Sequence, residues 1–133
     1  MNRSIAHISL LVRDYDEAID FYTRAMGFVL TEDTEMDPEK RWVTLSPSAL
    51  GGCSILLARA KNERQAERIG DQTGGRVFLF LHTDDIERDF NRLKEHQVKI
   101  IRGPAVESWG TVAVFEDLYG NQWDLIQKSS ASE

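Results

Sequence analysis

Apolar and mixed positions alternate along residues 5–12 (IAHISLLV): Ala6, Ile8, Leu10 and Val12 form one purely apolar row, and Ile5, His7, Ser9 and Leu11 form the other. A period of two with one greasy side predicts a strand buried on one face. The period then lengthens, with Tyr15, Ala18, Ile19, Tyr22, Ala25 and Met26 at helical spacing. Asp14, followed three positions later by Glu17, reads as the N-cap of that helix, and Gly27 as its stop. Residues 28–32, 41–45 and 53–58 predict three more strands, separated by a polar turn at Asp37-Pro38 and a loop over residues 46–52.

Residues 61–75 differ in character, with several charges, two glutamines and the pair Gly74-Gly75. They read as a linker with one helical stretch near residues 62–69. The pattern then restarts. Residues 77–83 (VFLFLHT) predict a buried strand, and Asp84 or Asp85 caps a helix with Ile86, Phe90 and Leu93 on one face. Residues 98–102 predict another strand, and residues 110–127 a strand, a turn at Tyr119-Gly120-Asn121 and a final strand. Laid over one another, residues 7–14 and 78–85 match strand to strand and cap to cap, and residues 54–58 match 123–127. The chain thus reads as an α+β fold of two tandem βαβββ modules, residues 1–60 and 76–133, each a curved sheet with a helix on its outer face.

Composition narrows the partners. The net charge of −6 over 133 residues argues against a phosphate-backbone footprint, so nucleic acid is not expected. The lone Cys53 leaves no internal disulfide and fits a reducing cytoplasm. No apolar run approaches the roughly 20 residues that span a bilayer, and the N-terminus lacks a signal pattern, so neither membrane insertion nor secretion is expected. No Gly-rich phosphate loop, Cys-x-x-Cys or Gly-x-Ser-x-Gly elbow occurs.

The chemistry-bearing residues are few. Asp124 interrupts an otherwise apolar strand, where an unpaired charge is expensive. It is expected to be paired, metal-bound or at a cavity wall. His7, on the mixed row of the first strand, is a second polar candidate. Phe78, Phe80 and His82 share one face by alternation and are candidate ligand contacts. Trp109, in a loop, is a further candidate contact, and Glu107 is the best spare carboxylate near it. Trp123 alternates with Asp124 and is expected under a helix.

The text Ala18-Ile19-Asp20-Phe21-Tyr22, the run Met26-Gly27-Phe28, His7 in the first strand, and the ending from Phe115 through Asp117-Leu118-Tyr119-Gly120-Asn121 to Ile126 resemble the vicinal oxygen chelate superfamily. That superfamily includes glyoxalase I, extradiol dioxygenases and bleomycin-resistance proteins. Leu118-Tyr119 stand where the family usually has Pro-Asp, and Asp124 where it has Glu. The resemblance implies metal-ligand positions at His7, Ile55, Phe78 and Asp124, of which only His7 and Asp124 carry a donor atom, so these two are expected as a hydrogen-bonded pair lining a polar patch, a general base, or part of a metal site. It also implies a homodimer and a small-molecule ligand or substrate. Two functions follow as expectations. One is a binder of a small, partly aromatic molecule with an incomplete metal site. The other is a glyoxalase-like lyase or dioxygenase in which a divalent ion (nickel, zinc, manganese or iron) stabilises an oxyanion.

Overall fold

The computed structural model describes residues 1–130. The chain forms two compact units, the first spanning Met1–Ile69 and the second beginning at Gly70. Each repeats one plan.

In the first unit β1 (His7–Val12), α1 (Tyr15–Arg24), β2 (Val29–Asp37), β3 (Lys40–Ser46) and β4 (Ser54–Arg59) build a four-stranded mixed sheet in the order β1-β4-β3-β2. β1 lies parallel to β4, and the remaining neighbours are antiparallel. The alternation seen in the sequence sets the two faces. Leu10 and Val12 are fully buried while His7 and Ser9 are exposed. The core lies between one sheet face and α1, where Tyr15, Ala18 and Tyr22 meet a floor that includes Leu10, Val43, Leu45, Ile55 and Leu57. Asp14 is the N-cap, its carboxylate accepting from the Glu17 N–H at 2.9 Å, and the Glu17 carboxylate receives Arg13. A short helix, α2 (Glu63–Ala66), capped by Asn62, stands inside the stretch read as linker.

The second unit comprises β5 (Val77–His82), α3 (Ile86–Glu95), β6 (Ile100–Glu107), β7 (Gly110–Glu116) and β8 (Gln122–Lys128), in the order β5-β8-β7-β6. Asp85, rather than Asp84, caps α3. Ile86 and Leu93 pack α3 over a core of Ala113, Phe115, Trp123 and Leu125.

Two strands run well past their expected ends. β2 continues through the polar run 32–37, and β6 through Gly103-Pro104. Both are edge strands with register shifts. An edge strand needs neither an apolar face nor every N–H, so charges, bulges and a proline are tolerated there.

Candidate functional site

Register decides which side chains share a face. In the first unit His7 pairs with Ser54 and Ile8 with Ile55. Neighbouring partners point to the same side, so Ser54, Leu56 and Ala58 share the His7 face, and Ile55 belongs to the core, where it is 4% exposed. In the second unit Leu79 pairs with Trp123 and Phe80 with Asp124. The counterpart of Asp124 in the first unit is therefore Leu56, one residue on from the expected Ile55. Phe78 is also displaced from its expected place beside Phe80. A register irregularity between Val77 and Leu79 turns its ring edge-on against buried Trp123, with centroids 5.8 Å apart.

On the open face of the second sheet a row crosses all four strands: Phe80, Asp124, Val114 and Arg102. Phe80 is 62% exposed, an unusual state for a phenylalanine in a strand. Asp124 is half-buried, and burial raises its carboxyl above the usual range, while the Arg102 guanidinium pulls it partway back. Arg102 was not foreseen, because only the cross-strand register brings residues 102 and 124 onto one row.

This shift has a consequence for stability. A carboxyl whose folded-state pKa lies above its unfolded value favours folding while protonated, and that contribution is lost as pH rises through the folded value. Asp124→Asn is therefore expected to melt higher than the parent at about pH 7, with the gain shrinking towards nothing at about pH 3. Thermal melts at the two pH values measure it, and an equal difference at both would contradict it.

Two residues along β5 from Phe80, His82 pairs with Ile126. Trp109 occupies the turn between β6 and β7, whose ends pair Glu107 with Gly110. His82, Trp109, Ile126 and Lys128 line a cavity of about 270 Å³. His82 and Lys128 also line a larger, polar one of about 670 Å³ together with Glu107 and Asp84. His82 thus meets Glu107 and Trp109, distant in sequence but both in the β6–β7 hairpin, at one end of the sheet. Lys128, unforeseen, joins them because it follows Asp124 and Ile126 at period two.

His7 stands on the first unit's sheet, exposed, its ring edge-on to Trp42 with centroids 5.8 Å apart. Beside it Ser46 and Ser54 share a buried hydroxyl contact at 3.2 Å. As a metal centre the residues do not fit. The expected ligand positions include Ile55, in the core, and Phe78, against Trp123, neither with a donor atom. Within neither unit do three His, Cys, Asp or Glu side chains come together so that they could hold a metal ion among the described residues.

The family described as the Glyoxalase/Bleomycin resistance protein/Dioxygenase superfamily matches residues 4–125. The chain belongs to that superfamily. An uncharacterized protein of Shewanella frigidimarina is 56% identical over 128 residues, covering 96% of this chain and 95% of its own. The crystal structure of UcmS2 superposes with a TM-score of 0.81 at 28% identity, covering 95% of this chain and 98% of UcmS2. TnmS3, an antibiotic binding protein from Streptomyces sp. CB03234, superposes with a TM-score of 0.75 at 30% identity, covering 96% and 98%. The paired βαβββ plan is accordingly the glyoxalase/bleomycin-resistance fold. Among the described residues no helix is long and apolar enough to cross a membrane.

Proposed function

We propose that this chain binds a small, partly aromatic molecule on the open faces of its sheets and does so without a complete superfamily metal site. The observation that carries this reading is Phe80, 62% exposed beside a carboxyl whose pKa burial raises. Leaving a phenylalanine in water forgoes about 1.5–3 kcal/mol of burial, which a flat ligand covering it would recover. Asp124 and Arg102 on the same row would orient the ligand's polar groups, with His82 and Trp109 further along the face. His7 would play the corresponding polar part in the first unit. The likeness to TnmS3 supports this class of ligand. The chain is read as a homodimer working in the cytoplasm.

Titration with a panel of polycyclic aromatic antibiotics, followed by tryptophan fluorescence, tests the reading. Saturable binding is expected, weakened about tenfold or more in Phe80→Ala. Elemental analysis of the same protein after incubation with nickel, zinc, manganese or iron(II) and gel filtration is expected to find far less than one ion per chain. Binding indifferent to Phe80, or no binding by any member of the panel, would overturn the assignment of the site. Retention of one ion, lost in His7→Ala, would overturn the metal-free part.

A further inference from the structure

We infer that the first unit carries a separate binding site for a flat aromatic anion, in the cavity where Trp42 meets Lys40, Arg59 and Lys61. This goes beyond the function proposed above, whose carrying contacts, Phe80, Asp124 and Arg102, lie in the other unit.

The cavity measures about 420 Å³, within the usual range for a small-molecule site. Its apolar part comes from the sheet face that carries His7. Leu11 pairs with Ala58 there, and Leu56 lies two residues along β4 on the same side. All three are half-buried. Ala58 is small, so the floor is recessed at that point. Trp42, also half-buried, forms one wall, its ring held edge-on by His7. An aliphatic floor beside an indole wall suits a ring system better than a flexible chain.

Its polar part has one sign. Lys40, Arg41, Arg59 and Lys61 all line it, and no Asp or Glu does among the described residues. In a chain of net charge −6 that separation is notable. The acidic side chains at this end line a different depression of about 460 Å³, with Tyr15, Arg41 and Arg59 as the wall common to both. Arg41 is already neutralised there, by Asp33 at 2.7 Å and Asp16 at 2.9 Å. The other three cations have no carboxylate within ion-pair distance among the described residues. Arg59 is nevertheless held in place: it lies over the Tyr15 ring at 5.8 Å and donates to the Glu39 carbonyl at 2.9 Å. That pinning leaves the rest of its guanidinium face available and lowers the entropy lost on binding an anion. Lys40 and Lys61 are exposed at the rim and add long-range attraction. Rings on the floor and three unneutralised cations at the rim together select a planar molecule bearing a carboxylate or similar anionic group.

The test is a titration of the intact protein with 2-naphthoate and its neutral isostere 2-naphthylmethanol, read by backbone amide shifts in two-dimensional NMR. Naphthoate is expected to saturate shifts at residues 40–42 and 56–61, with naphthylmethanol about tenfold weaker or worse. Lys61→Glu, at an exposed position that does not endanger folding, and Arg59→Gln should each weaken naphthoate and leave naphthylmethanol unchanged. Phe80→Ala should not move these shifts, which separates this site from the one proposed in the second unit. Equal affinity for the two naphthalenes, naphthoate shifts confined to other residues, or indifference to both charge substitutions would overturn the inference.

Discussion

Asp117→Ala is expected to cost about 3–5 kcal/mol of folding stability, the largest loss for any single side chain outside the apolar core. Asp117 is 6% exposed, and its Oδ1 accepts from three successive backbone donors: Tyr119 N at 2.9 Å, Gly120 N at 3.0 Å and Asn121 N at 2.9 Å. Its Oδ2 accepts from Asn121 Nδ2 at 3.0 Å. One carboxylate thus organises the whole connection from β7 to β8. Alanine would leave Gly120 N its bond to the residue 117 carbonyl at 3.1 Å but strand the Tyr119 and Asn121 donors, and the Asn121 groups, 3% exposed, are the ones water reaches least. Asp117→Asn separates charge from geometry. The amide oxygen can still take the three backbone donors, but its NH₂ would face the Asn121 NH₂, so an intermediate loss is expected. Urea unfolding of the three proteins should give parent, Asn and Ala in falling order. An alanine variant within about 1 kcal/mol of the parent would show that water substitutes freely for the carboxylate. The consequence reaches the proposed binding face. β8 carries Asp124 and Ile126 on the open side and Trp123 and Leu125 on the core side. A slip of one residue would exchange the two sets, so a loosened turn should weaken ligand binding along with stability.

That turn shows how far residue types alone can be read. Tyr119-Gly120-Asn121 is legible as a turn from Gly and Asn, and Gly120 does take φ +104°. The controlling group is the Asp at its start, and the spacing Asp-x-x-Gly-Asn contains that signal: a short carboxylate caps the N–H groups two to four residues on. The element plan was legible because local rules agreed. Alternation set the faces of β1, helical spacing set α1 and α3, Asp14 caps α1 as its spacing implies, and of the two candidates Asp84 and Asp85 it is Asp85 that caps α3. Faces that depend on pairing were not legible. Matching the two modules by sequence placed Ile55 over Asp124, whereas hydrogen-bond register places Leu56 there, a difference of one residue that reverses the face. The irregularity at Phe78 is likewise a property of two strands together. Arg102 reaches the Asp124 row, and Lys40, Arg59 and Lys61 reach one cavity, only after strands distant in sequence pair. Glu107 and Trp109 could be nominated together, as neighbours in one loop, and His82 separately, but no single-strand pattern says that His82 meets them.

Gly70→Ala should destabilise the second unit by about 3 kcal/mol, lowering the melting temperature by roughly 10 °C. Two costs combine. Gly70 has φ +80°, a conformation in which a side chain is strained by about 1–2 kcal/mol. A Cβ there would also lie 2.0 Å from the Tyr119 carbonyl oxygen and 2.9 Å from its carbon, both backbone atoms that cannot swing aside. The segment lies against the same turn, since Gln72 N donates to Asn121 Oδ1 at 3.1 Å. The added methyl must therefore lift the start of the second unit away from the Asp117 turn or distort the turn itself. Gly74→Ala is the control. Gly74 has φ +67°, but nothing lies within 4 Å of its notional Cβ, so only the conformational strain is expected. The difference between the two variants isolates the close approach, and equal losses would mean that the approach relaxes at no cost. Because both residues act on one turn, Gly70→Ala and Asp117→Ala should be less than additive in a double variant. Once either substitution has opened the contact between the segment and the turn, the other has less of it to lose.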